Sequence, residues 1–253
     1  MTLGVLKLIY FIYDGSFEGF LTTIYEAYYR EENPDKIIKT EDYEPDLFSQ
    51  KINIETEEEK ADKVYEAIED KISSASLRKI YHAFLSEIDN IETDIYKYIQ
   101  LGFKLGSNVD KHLTEDRVYK IQKISKKVGK EKHRLKGLLR FRKIKENMFY
   151  APVEPDYNII ALLAPHFEKR LTNQNWIIHD RKRSIAVLYN TEESVITELE
   201  DIDIDYKEEE LFYQKLWQEF FNTIEIKNRK NPELQKQYMP QRYWKYLVEN
   251  AGK

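Results

Sequence analysis

The sequence predicts an α+β protein. A small α/β unit comes first, then long amphipathic helices, then an antiparallel sheet of strand–strand–helix–strand–strand order, and finally C-terminal helices. Three observations carry this. A β-branched and aromatic run near the start ends in Asp-Gly and is followed by a helical pattern. Apolar residues then recur at three- and four-residue spacing from Leu77 to Tyr98. Last, four short apolar runs bracket one helical pattern over 137–190.

The run "VLKLIYFIYDG" over 5–15 reads as a buried strand and a turn. Ser16 is placed as the N-cap of a helix whose apolar face carries Phe17, Phe20, Leu21, Ile24 and Tyr28. Asn33-Pro34 and Glu44-Pro45 break the chain before "SQKINIET", a second strand. Thr56 and Glu59 have capping-box spacing for a helix over 57–72. The order strand–helix–strand–helix defines an N-terminal α/β unit over 1–73, leaving 74–253 as the second domain.

One long helix is expected from Ser74 to about Leu101, loosened by Gly102 and Gly106, and another over 114–130. "GLLRFRKI" and "NMFYAPV" read as strands joined by a turn at 145–147. A helix opens at Pro155-Asp156, and Pro165 must kink or divide it. "WIIHD" and "SIAVLY" read as a hairpin across "RKR". "LFYQKLWQEFFNTI" is an apolar helix, and a short aromatic helix closes the chain.

With 253 residues and 42% hydrophobic residues, the chain is long enough to bury a substantial core. The absence of cysteine excludes disulfides, thiolate catalysis and iron–sulfur ligation within this chain, and fits the cytoplasm. The first residues lack the basic region and small-residue cleavage site of a signal peptide. No apolar run has membrane-spanning length, so a soluble protein with no membrane partner is expected.

Charge is strongly segregated. The stretch 117–145 holds thirteen Lys or Arg and a single acid, Glu131, for a net +12. The stretch 192–210 holds ten acids against Lys207, for a net −9. The basic stretch matches the electrostatic footprint of phosphate-backbone binding, and the acidic stretch is an internal or partner-protein alternative for it. Arg134, Lys136, Arg140 and Arg142 stand where helix meets strand. Arg170, Arg181, Arg183 and Arg242 are further phosphate candidates.

Candidate chemistry centres on His166, His179 and Asp180. His166 lies near a helix end, where an imidazolium would complement the dipole. His179 and Asp180 are neighbours on a strand and therefore point to opposite faces. No spacing here indicates a metal site or a cofactor: His-x3-His, GxGxxG and Gly-Lys-Ser/Thr are all missing. Tyr238, Tyr243, Trp244 and Tyr246 suit core packing or base stacking.

The stretches "YDGSFEGFLTTIYEAYY", "HRLKGLLRFR", "YAPVEPDYNIIALLAPHFEKR", "WIIHDRKR" and "MPQRYWKYLVE" resemble a bacterial family described as "probable DNA metabolism proteins". From about Leu85 onward the chain resembles that family's domain of unknown function 4130. The resemblance implies work beside a radical SAM DNA-modification or repair protein, in which the catalyst resides. It implies no catalytic residue in this chain. Three functions are therefore expected in competition: a DNA-binding accessory protein of DNA metabolism or repair, a nuclease or base-excision enzyme using His166, His179 and Asp180, and a protein-binding scaffold.

Overall fold

The computed structural model describes residues 8–30, 33–45, 47, 49–145, 147–201, 208–224 and 232–248. Residues 5–7 of the expected first strand, residue 146 of the expected turn and 202–207 of the acidic run lie outside the described residues. The chain is mixed α+β and divides into two compact units, Met1–Val128 and Gly129–Lys253.

In the first unit, β1 (Leu8–Tyr13) is the middle strand of a parallel sheet, flanked by β2 (Lys36–Lys39) and β3 (Ser49–Asn53). A parallel strand covered on both faces needs a continuous apolar run. Phe11, Ile12 and Tyr13 supply it and are fully buried. Helix α1 (Phe17–Tyr29) starts where expected, with Ser16 Oγ accepting the Gly19 amide at 2.9 Å. Its Phe20, Leu21 and Ile24 are buried, and Phe17 and Phe20 meet Phe84 at 5.1 and 5.6 Å between ring centroids.

The capping box does not form. Helix α2 (Glu58–Lys71) is preceded by Glu57, which makes no side-chain cap. Thr56 turns away and donates its hydroxyl to Asp14 Oδ2 at 2.7 Å, while Thr22 Oγ1 accepts the Glu57 amide at 3.2 Å. Tertiary partners outcompete the local cap. The Asp14 carboxylate also accepts the Ser16 amide at 2.9 Å and the Ser16 hydroxyl at 2.6 Å. Burial raises its pKa, but these hydrogen bonds prevail and hold it below the usual carboxylate range.

The expected single helix over 74–101 is two: α3 (Ser74–Phe84) and α4 (Ile91–Leu105). Glu87 and Asn90 between them take left-handed φ of 51° and 61°, a conformation Asn tolerates. The apolar spacing runs through the break because Leu85 is buried in the turn itself. α4 packs against β2, and Thr93 Oγ1 accepts the Ile37 amide at 3.1 Å, closing that sheet edge. α3 packs against α2 and α4 against β2, and both lie in the compact unit Met1–Val128.

Helix α5 (Asp116–Leu138) is about two turns longer than its apolar pattern indicates. It displaces the expected strand at 137–144, of which only β4 (Arg142–Lys145) remains. In the second unit β4, β5 (Met148–Val153), β6 (Asn175–Asp180), β7 (Ile185–Tyr189) and β8 (Ser194–Glu198) form one sheet in chain order. The strand–strand–helix–strand–strand order holds, with β8 added from the acidic run. The sheet is mixed, because β5 and β6 run parallel. The intervening helix α6 (Ile160–Arg170) makes a crossover where a hairpin would have given the expected antiparallel pair. β5 tolerates Pro152 because pairing with β4 stops at Tyr150.

Pro165 does not divide α6, which begins at Ile160 and runs through it as one helix. Trp176 anchors the core with no exposure, stacked on Tyr189 at 5.1 Å. α7 (Glu208–Ile224), α8 (Pro232–Tyr238) and a 3-10 turn (Gln241–Tyr246) complete the chain. Among the described residues, no helix is long and apolar enough to cross a membrane.

The knot around Asp14 yields a test. A Cβ on Gly19 would run into Asp14 Oδ1 and Thr56 Oγ1. Gly→Ala inside a helix ordinarily stabilises by about 1 kcal/mol. Here Gly19→Ala should instead destabilise by about 1–3 kcal/mol, and by less in an Asp14→Ala background. Urea unfolding of the four chains in this cycle reads the difference.

Candidate nucleic-acid interface

The basic side chains of the second unit are largely used by the fold itself. Arg134 Nη2 donates to the Gln237 carbonyl at 2.7 Å. Arg142 Nη2 donates to the Tyr246 carbonyl at 3.1 Å. Arg140 Nη1 folds back onto the carbonyls of Gly137 (2.8 Å) and Leu139 (3.2 Å). Arg183 Nη1 pairs with Asp180 Oδ2 at 2.9 Å, and its Nη2 reaches the Asp156 carbonyl at 3.0 Å. Arg181 forms a two-pronged pair with Asp201, at 2.7 and 2.6 Å. Arg242 pairs with Asp156 at 2.6 Å and lies 4.6 Å over the Tyr243 ring.

Lys136 and Arg170 differ. Neither makes an ion pair or hydrogen bond among the described residues. Lys136 is in the last turn of α5 and Arg170 in the last turn of α6. With Arg140 they line a cleft of about 280 Å³ that also exposes Phe141, Phe149 and Gln174. Phe141 and Phe149 are half-buried, and Phe141 packs edge-on against Phe167 at 5.0 Å. Gly137 stands on the same cleft, and a Cβ there would meet nothing within 4 Å. No internal contact therefore requires glycine at 137.

His166, on α6, is not the cationic cap expected. Burial lowers its pKa, and the charges of Lys136 and Arg170 lower it further. The basic residues in the last turn of α6 are Lys169 and Arg170. His166 Nε2 is buried with no hydrogen-bond partner among the described residues.

His179 and Asp180 are both fully buried, on opposite faces of β6. The Leu199 carbonyl, which only accepts, lies 2.9 Å from His179 Nε2, so that nitrogen carries the proton. Nδ1 then accepts from the Tyr150 hydroxyl at 2.7 Å. Burial holds the imidazole below its ordinary pKa, against the opposing pull of the Leu199 carbonyl. Asp180 Oδ1 accepts the amides of Lys182 (3.0 Å) and Arg183 (3.3 Å), which builds the turn between β6 and β7. Burial raises the Asp180 pKa, countered by Arg183. His179 and Asp180 thus keep separate partners, and among the described residues no shared hydrogen bond joins them to each other or to His166. Among the described residues, no group of three His, Asp or Glu could hold a metal ion.

One residue placed in no site by the sequence proves central. Glu131, 3% exposed on α5, accepts the amides of Asp156 (2.9 Å) and Tyr157 (3.1 Å). It also takes the Tyr243 hydroxyl in a very short hydrogen bond, and Arg242 Nη2 lies 3.6 Å away. Tyr243 and Tyr246 are buried, which settles those two aromatics as packing residues. The signal for Glu131 was its solitude: one acid among thirteen cations, three residues beyond Val128 on the apolar stripe. The signal for Phe141 was its place between Arg140 and Arg142.

The elements define an α+β protein whose second unit opens a basic, aromatic cleft between the ends of two helices. Residues 89–249 match the family model of the Domain of unknown function DUF4130, and the chain belongs to that family. No curated protein matches the chain.

Two outcomes follow. Glu131→Ala strands two amides and a tyrosine hydroxyl, and should cost about 3–5 kcal/mol in urea unfolding. His179, with its folded pKa depressed, contributes stability that is present above the unfolded pKa and lost as pH falls, because the unfolded imidazole takes the proton first. Below about pH 6.5, stability should fall by up to about 1.4 kcal/mol per unit. Unfolding midpoints at about pH 7.5 and about pH 5.5 should differ less in His179→Asn.

Proposed function

We propose that the chain is a nucleic-acid-binding accessory protein of DNA metabolism or repair, gripping phosphate at the cleft of its second unit. The observation that carries this reading is the pair Lys136 and Arg170, two cations with no ion pair or hydrogen bond among the described residues, beside the half-buried rings of Phe141 and Phe149. Cations so placed attract phosphate, and the adjacent rings form the floor of the cleft between them. Gly137 lets backbone come close at the same place.

The reading gives the other six candidate arginines a structural part, since they hold carbonyls or carboxylates. It favours binding over catalysis, because His179 and Asp180 are spent on Leu199, Tyr150 and Arg183. Besides the β8 ladder, acidic side chains of the 192–210 run engage this unit, among the described residues, through Asp201 with Arg181 and Glu210 with the Lys143 amide. Neither point lies among the residues lining the cleft. The partner implied by the family resemblance, a radical SAM DNA-modification or repair protein, would supply the chemistry.

Charge reversal at Lys136 and Arg170 should weaken binding of a short fluorescent DNA duplex by about tenfold or more, and reduce the slope of log affinity against log salt by about two. Fluorescence anisotropy across a salt series measures both. An unchanged slope would remove the cleft from the interface.

A further inference from the structure

The first unit carries a second aromatic cleft, unrelated to the first. Tyr25, Tyr28 and Tyr29 at the end of α1, Lys63 and Lys71 of α2, and Phe103 of α4 line a cavity of about 320 Å³. Core packing of α1 is satisfied by Phe20, Leu21 and Ile24, all at most 3% exposed. Tyr28 and Tyr29 are instead 70% and 69% exposed. They are not isolated surface rings. Tyr25 and Tyr29 lie 4.4 Å apart between centroids, Tyr28 meets Tyr29 edge-on at 5.3 Å, and Tyr28 meets Phe103 at 6.4 Å. The rings thus form a continuous cluster in which Tyr28 and Tyr29 are the exposed members and Lys60 Nζ lies 5.7 Å over Tyr25.

Cations flank it. Lys71 Nζ sits 6.0 Å over the Phe103 ring and makes no ion pair among the described residues. Among the described residues Lys63 pairs with Glu59, at 2.6 Å, and Glu59 is 83% exposed. Such a surface pair is worth little, so exchanging it for a phosphate costs little. Exposed rings between two lysines suit a planar ring linked to anionic groups on both sides. That is the chemistry of an unpaired base within a polynucleotide, whereas a duplex buries its base faces. A proline-rich peptide would use the rings but not the two charges.

We propose that the Tyr25–Tyr28–Tyr29–Phe103 cleft binds an unpaired base of single-stranded nucleic acid, with Lys63 and Lys71 on its flanking phosphates. The proposal stands on residues of the first unit alone, and the cleft of the second unit is not needed for it.

The test uses the full chain and a short single-stranded oligothymidylate carrying 5-bromouracil. Near-ultraviolet irradiation and peptide mass mapping should place adducts on the peptides containing Tyr25–Tyr29 or Phe103. By anisotropy, Tyr28→Ala and Phe103→Ala should each weaken oligothymidylate binding by about tenfold, with duplex affinity unchanged. Tyr28→Phe should bind as the parent does, since the ring and not the hydroxyl makes the contact. Adducts confined to the second unit would overturn the proposal and leave the Lys136–Arg170 cleft standing. Loss of duplex binding in Lys136→Glu/Arg170→Glu, with oligothymidylate adducts retained on the tyrosines, would support it. Competition by thymidine monophosphate as strong as by the oligomer would overturn it in favour of a free nucleotide. Tyr28-dependent binding of a proline-rich peptide without oligothymidylate binding would also overturn it.

Discussion

The second unit depends on one buried carboxylate. Removing a charge from water costs several kcal/mol unless partners replace the solvent, and Glu131 has four: two backbone amides, a tyrosine hydroxyl and a nearby guanidinium. Those partners come from separate places, the start of the loop into α6 and the C-terminal 3-10 turn. Each is drawn to α5 by the same pair of oxygens. Fixing the last turns of α5 in this way sets Lys136 and Arg140 beside Arg170 at the end of α6. The acid inside the basic stretch is thus what gives that stretch a defined shape.

Side-chain chemistry then sorts the cations. A guanidinium has several donors in a rigid fork and can serve two acceptors at once, which a lysine ammonium does less directionally. Arg140, Arg142, Arg134 and Arg183 use their forks on backbone carbonyls. Arg181 takes both oxygens of Asp201. The count of arginines in sequence therefore overstates the donors free to grip a ligand, since many of these forks are structural mortar.

Local signals read from the sequence were accurate where a single residue decides local structure. Ser16 caps α1, the β6–β7 hairpin turns at 181–184, and the apolar run of β1 is the central strand. Signals failed where distant partners decide. Thr56 had the spacing of a cap, but Asp14 was a better acceptor. The apolar repeat at 77–98 continued across a turn because the turn buries Leu85 in step. α5 seemed to stop at 130 because the next stripe position is an acid, and only its buried partners make an acid acceptable there. β8 was hidden by its setting: five residues with one charge, enclosed by the acids of the 192–210 run, and as an edge strand it pairs only with β7, placing Glu198 opposite Ile185. The site followed the same division. Lys136 and Arg170 were legible by charge, whereas which arginines were already committed depended on carbonyls far away in sequence.

In a parallel sheet of order β2-β1-β3, the crest above the strand ends, where a helix presents its free amides, is the customary berth for a ligand's negative charge. In this chain that berth is already taken. Asp14 sits there as a built-in guest, bonded to the Ser16 amide and to the hydroxyls of Ser16 and Thr56, and Gly19 is bare because the guest needs the room. The place such a sheet offers to an anion is thus filled by a side chain of the unit itself. What remains open to visitors on α1 is the other end of the helix, about 20 Å away, where the tyrosines stand.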